Sequence, residues 1–102
     1  MKVLITAATS AQAYKLKSQL DNPDTVLGDY QELPEFMLKS QSMLKLPNPA
    51  SDSYAHLMLT LCLDNEVDEL YALTGQEADV LLRSDQLFKE YNITIIDGRN
   101  TI

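Results

Sequence analysis

The sequence predicts an α/β fold, a three-layer α/β/α sandwich around a mostly parallel sheet of about five strands. Three observations carry that expectation. Short aliphatic and β-branched runs alternate with segments whose apolar residues recur at helical spacing. Turn-forming residues separate these segments almost throughout. The chain has 102 residues, enough for a single domain over 1–102 with one core and too few for a two-domain enzyme.

Lys2-Val3-Leu4-Ile5-Thr6-Ala7 is a run of strand length whose apolar continuity suits burial on both faces. Thr9 stands three positions before Gln12, as in a capping box, and Ala13, Leu16 and Leu20 follow at helical spacing, so a helix is expected over 10–20. Asp21-Asn22-Pro23-Asp24 ends it, and Thr25-Val26-Leu27-Gly28-Asp29 predicts the second strand. Between Tyr30 and Gln41 the polarity is mixed around Pro34, which predicts a loop with one helical turn. Ser42-Met43-Leu44-Lys45-Leu46 reads as the third strand, closed by Pro47-Asn48-Pro49.

Asp52 or Ser53 can cap the next helix, whose inward stripe is expected to be Tyr54, Leu57, Met58, Leu61 and Cys62. Glu69-Leu70-Tyr71-Ala72-Leu73-Thr74 predicts the fourth strand. Thr74 and Glu77 form a second capping box, opening a helix to about Tyr91 that buries Ala78, Leu81, Leu82, Phe88 and Tyr91. Ile93-Thr94-Ile95-Ile96-Asp97 is the last expected strand, and Gly98 ends it. The chain carries no internal repeat, linker or low-complexity tract.

Composition narrows the function. Eight Lys and Arg against fifteen Asp and Glu give a formal charge of −7. That balance disfavours nucleic acid and anionic membrane surfaces, which are bound by cations that neutralise phosphate. The only cysteine, Cys62, excludes an internal disulfide and a multi-cysteine zinc site. The N-terminal run lacks the build of a signal peptide, and no stretch approaches the roughly 18 apolar residues of a membrane span. A cytoplasmic protein is expected.

Several strings, in this order, resemble the small N-terminal domain that precedes the catalytic domains of ATP-grasp enzymes, the preATP-grasp domain of the carbamoyl-phosphate-synthase-like and biotin-carboxylase-like branches. They are Lys2-Val3-Leu4-Ile5-Thr6 before a small-residue loop, Val26-Leu27-Gly28-Asp29, Leu44-Lys45-Leu46-Pro47, and Ser51-Asp52-Ser53-Tyr54 leading to Leu61-Cys62. The segment from Val67 to Glu77 and the one from Leu87 to Ile95 complete the pattern. The resemblance implies a Rossmann-like fold and places Glu77 on the family's acidic position. Two departures stand out. The family's first loop is usually glycine-rich, whereas here it is Ala7-Ala8-Thr9-Ser10-Ala11, whose methyl groups oppose close phosphate approach. Ala72 and Gly75 stand where the family tends to carry proline and aspartate. The family's ATP-binding lysines and magnesium-binding acids lie in later domains, so the resemblance implies a chain without catalysis, cofactor or metal of its own.

Ligands of open parallel sheets collect beyond the carboxyl ends of the strands. That edge is expected to present Thr9, Ser10, Asp29, Tyr30, Asn48, Ser51, Thr74, Gln76, Glu77, Asp97 and Arg99; the candidate ligand-binding set is Thr9, Ser10, Asp29, Tyr30, Thr74, Glu77 and Arg99. Thr9, Ser51, Thr74 and Glu77 are equally accounted for as helix caps. Asp29 lies roughly twenty residues past the first loop, the place of a ribose-binding acid, but without the glycine fingerprint it reads first as an exposed strand-end aspartate. Asp64, Glu66, Asp68 and Glu69 lack the spacing of a cation loop and read as a solvated turn. His56 has no second histidine, and Cys62 falls on a buried stripe, which opposes a nucleophilic pair.

Two functions remain open at this stage. The first is a non-catalytic accessory module that binds a small molecule, a second copy of itself or an ATP-grasp-type protein. The alternative is a minimal Rossmann-type nucleotide-binding protein or enzyme that uses Asp29 for ribose. A receiver-type signalling domain is excluded, because Thr6-Ala7-Ala8 and Pro47-Asn48-Pro49 stand where its acidic residues belong.

Overall fold

Strand β1 (Val3–Ile5) is the centre of the molecule, and all three of its aliphatic side chains are buried. Leu4 packs into one core cluster and Val3 and Ile5 into the other, as the twofold alternation of a strand requires. A computed structural model describes residues 2–8, 10–31, 33, 35–39 and 43–98. Around β1 lie β2 (Thr25–Asp29), β3 (Met43–Lys45), β4 (Glu69–Ala72) and β5 (Thr94–Asp97), in the order β3-β2-β1-β4-β5. Every pairing is parallel, so the sheet is wholly rather than mostly parallel.

The helices are α1 (Ala11–Leu20), α2 (Glu35–Lys39), α3 (Tyr54–Asp64), α4 (Gly75–Arg83) and α5 (Asp85–Lys89). Ala13 and Leu16 of α1 pack with Val3, Ile5, Leu27 and Met43 on one face of the sheet. On the other face Tyr54, Met58 and Cys62 of α3, Ala78 and Leu81 of α4, and Phe88 of α5 pack with Leu4, Leu70 and Ile95. These two cores make the three layers.

Gly28 is set by close approach rather than by backbone angle. A Cβ there would stand 2.8 Å from Leu46 Cδ2 and 3.1 Å from the Leu44 carbonyl oxygen. Bringing β3 and the following residue onto β2 therefore needs a residue without a side chain.

Several sequence expectations need correction. The helix expected to run to Tyr91 breaks at Ser84 into α4 and α5, and Leu82 and Tyr91 are exposed, at 38% and 49%, instead of buried. Leu57, placed on the inward stripe of α3, is 48% exposed, while Leu59 is buried. The inward arc is Tyr54, Met58, Cys62 and Leu59, so α3 is turned about its axis away from the stripe that periodicity alone suggested. The third and fourth strands are also shorter than expected, closing at Lys45 and Ala72.

Candidate functional site

Thr6, which follows β1, lies where the chain's course across the sheet reverses. Its N–H donates to the Tyr71 carbonyl of β4 at 3.1 Å, and its Oγ1 accepts the Leu73 N–H at 3.0 Å. This junction of β1 and β4 is the topological switch point, where open α/β sheets place their ligands. The first turns of α1, α3 and α4 lie at the same carboxyl edge, since each helix follows a strand and runs back along the sheet.

Polar side chains from four elements meet there. Thr74 is the N-cap of α4: its Oγ1 accepts the Glu77 N–H at 3.3 Å and donates to Glu77 Oε1 at 2.9 Å. Glu77 Oε2 accepts the Tyr54 hydroxyl at 2.9 Å, and the Thr6 hydroxyl is a further hydrogen-bond partner. Asp29, at the end of β2, is close enough for its charge to act on Glu77. Glu77 is 2% exposed and Asp29 3%.

The buried position of Glu77 raises its pKa above the usual carboxylate range, because desolvation penalises the charged form. Hydrogen bonds from Thr74, Tyr54 and Thr6 pull it down, and the charge of Asp29 adds to the rise. Tyr54 is pushed up as well, first by burial and then by the Glu77 charge. Its hydroxyl therefore stays protonated and acts as a donor.

The remaining predicted residues divide. Ser10 is the N-cap of α1; its Oγ accepts the Ala13 N–H at 3.3 Å and donates to the Ala7 carbonyl at 2.8 Å. The capping position is thus Ser10, one residue beyond the expected box of Thr9 with Gln12. Asp29 is a correction, since it is buried where an exposed strand end was expected, and its Oδ1 accepts the Gln31 N–H at 3.1 Å. Tyr30 is half-buried, and its carbonyl accepts Lys45 Nζ at 2.7 Å. Asn48 Oδ1 accepts the Ala50 N–H, and Ser51 Oγ the Ser53 N–H, so both shape the turn before α3. Gln76 is exposed and Asp97 half-buried. Thr9 and Arg99 lie outside the described residues.

Tyr54 is the member that sequence reasoning assigned only to packing. The signal was its polar end: a tyrosine deep in a core almost always directs its hydroxyl to a partner, and Glu77 was the acid at hand.

Elsewhere, Cys62 is fully buried and its thiol is pushed up to about 12 by desolvation, which keeps it inert. Asp64, Glu66 and Asp68 are exposed, and Asp68 accepts the Lys2 N–H at 2.9 Å. Among the described residues no group of three or more His, Cys, Asp and Glu is arranged to hold a metal, and no helix is long and apolar enough to cross a membrane. An open cleft of about 440 Å³ lies at the far end of α1, lined by Tyr14, Lys17, Ser18, Asp21, Asn22 and Pro23.

No family model and no curated protein matches the chain. Among solved structures it is similar to L-threonine 3-dehydrogenase from Trypanosoma brucei, with 18% identity and a TM-score of 0.57 over 92% of this chain and 35% of that one. The fold is Rossmann-like. At that identity the likeness concerns the fold, and function must be argued from the residues.

Proposed function

We propose that this Rossmann-like domain is a non-catalytic accessory module, similar to a preATP-grasp domain, whose carboxyl edge serves as a binding surface for a small molecule or an ATP-grasp-type protein. The observation that carries this reading is how the edge residues are engaged. Glu77 takes hydroxyl donors from Tyr54 and Thr74, Asp29 takes the Gln31 N–H, and Ser10 takes the Ala13 N–H. These bonds lock the ends of the elements together. A general base or nucleophile would instead present a reactive atom to a substrate.

The nucleotide-binding alternative draws support from the Rossmann-like frame and from Asp29 at the end of β2. It is the weaker reading for two physical reasons. Asp29 is turned inward to its own loop, and Ser10 Oγ occupies the first turn of α1, where a phosphate would be received.

Thermal unfolding with ATP, ADP, AMP, NAD and NADP at millimolar concentration decides between the two. A ligand present at 100 times its Kd stabilises by about 2.7 kcal/mol, which for a domain of this size is a rise of roughly 10 °C or more. The accessory reading expects no such rise with any of the five. A rise of that size with a nucleotide would replace it with the alternative.

A further inference from the structure

We propose that the outer face of α3 is a self-association surface that receives the same helix of a second copy in antiparallel orientation. The solvent side of α3 consists of His56, Leu57, Thr60, Leu63 and, at its last position, Asp64, with Leu61 half-buried at its margin. Leu57 is 48% and Leu63 44% exposed, and Leu82 of the neighbouring α4 adds a further exposed apolar side chain. A surface helix ordinarily carries charge on its outer side; one that is apolar on both sides is built for cover.

Shape and charge identify the occupant. Leu57, Thr60 and Leu63 form a ridge at spacing i, i+3, i+6, large on either side of small. The ridge reads the same in both directions about Thr60. A copy related by a twofold axis near Thr60 sets Leu57 of one chain against Leu63 of the other, which is the self-complementarity that an isologous contact requires. The Thr60 hydroxyl already donates to the His56 carbonyl at 3.0 Å, so covering it strands no polar group.

The chain carries a net charge of −7, yet no Asp, Glu, Lys or Arg occurs in α3 before Asp64 at its last position. Two strongly acidic copies can approach each other on the uncharged centre of this face around Thr60, with Asp64 only at its end, and interface centres are depleted in charge.

Sedimentation velocity from about 10 µM to about 1 mM, where a small interface associates, tests the proposal. The wild type should form a dimer that tightens as salt rises, because screening weakens the repulsion between the acidic copies. Leu57→Glu, at an exposed position that leaves the core intact, should weaken the dimer about 30-fold or more, whereas Tyr14→Glu on α1 should leave it unchanged. In a second measurement, Thr60→Cys should form a disulfide-linked dimer under mild oxidation, while the wild type, with only the buried Cys62, should not. A wild type that stays monomeric, a dimer indifferent to Leu57→Glu, one that dissociates with salt, or a Thr60→Cys variant that does not cross-link would each overturn the proposal. So would a protein that stays monomeric and uses this face only for a different partner.

Discussion

Tyr54 donates its hydroxyl to Glu77 at 2.9 Å across 23 residues of sequence, with both side chains buried. The bond ties the first turn of α3 to that of α4. Tyr54→Phe keeps the ring and removes only the oxygen, so Glu77 loses a donor in a site that water does not reach. Leaving a buried acceptor short costs about 1–3 kcal/mol. Urea unfolding should show that loss with little change in the slope of the transition. Combined with Thr74→Val, which removes a second of the three hydroxyls on Glu77, the two losses should fail to add, since both act on one carboxyl group. Simple additivity would mean that the two bonds are independent.

The rise in the Glu77 pKa has a sign that unfolding can read. The folded state holds the Glu77 proton more tightly than the unfolded chain does, so between the ordinary carboxylate range, about 4.3, and the raised folded value the native state binds more protons. Stability from this group is therefore greatest below the unfolded pKa and falls as pH rises through that window. Glu77→Gln removes the titration. It should cost stability at acidic pH, where a protonated Glu77 is tolerated, and lose its disadvantage relative to the wild type as pH rises to neutrality. Urea midpoints for both proteins at intervals from about pH 4 to pH 8 check this; parallel profiles would show that Glu77 does not titrate differently on folding.

The order of strands and helices was legible because each strand is a short apolar run closed by turn residues, as in Thr25 to Asp29 ahead of Tyr30. Two local rules also held: Thr74 and Glu77 cap α4, and Gly98 follows the end of β5 with its N–H on the Ala72 carbonyl. The rotation of α3 was less legible, because the helix is apolar on nearly every side and its periodicity leaves Leu57 and Leu59 as near-equivalent choices for burial. Tertiary packing decides between them. The polar cluster was legible only as a roster of edge residues. Asp29 and Glu77 were both placed at the carboxyl edge, but the bond by which Tyr54 reaches over from α3 to Glu77 is a contact between distant segments that no local pattern encodes.

Gly28 offers a test of how tightly β3 is held to β2. In Gly28→Ala the new methyl would meet Leu46 Cγ at 2.9 Å and Leu44 O at 3.1 Å. Leu46 can turn, but the carbonyl belongs to the paired strand and cannot move alone. Overpacking of this kind costs about 1–3 kcal/mol, and the damage should concentrate in β3. Hydrogen exchange should show the Leu46 amide, which donates to the Asp29 carbonyl at 2.9 Å, losing more protection than the amides of β4. Equal loss in both strands would place the strain elsewhere.

Ala7 adopts a left-handed backbone conformation, with φ of 56°, in the turn that links β1 to α1. The conformation is held by its carbonyl, which accepts both the Ser10 N–H at 2.9 Å and the Ser10 hydroxyl at 2.8 Å. An alanine there carries about 1–2 kcal/mol of steric cost that glycine avoids, while glycine gives back about 0.4–1 kcal/mol through the freedom it adds to the unfolded chain. Ala7→Gly should therefore stabilise by about 0.5 kcal/mol, raising Tm by roughly 2–4 °C. The same change brings the first loop one step closer to the glycine-rich form, but the Ser10 hydroxyl still fills the first turn of α1. ATP and NAD should accordingly leave the Tm of Ala7→Gly where it stands without them. A nucleotide-dependent rise in this variant alone would show that the methyl group of Ala7, and not Ser10, keeps phosphate from the helix.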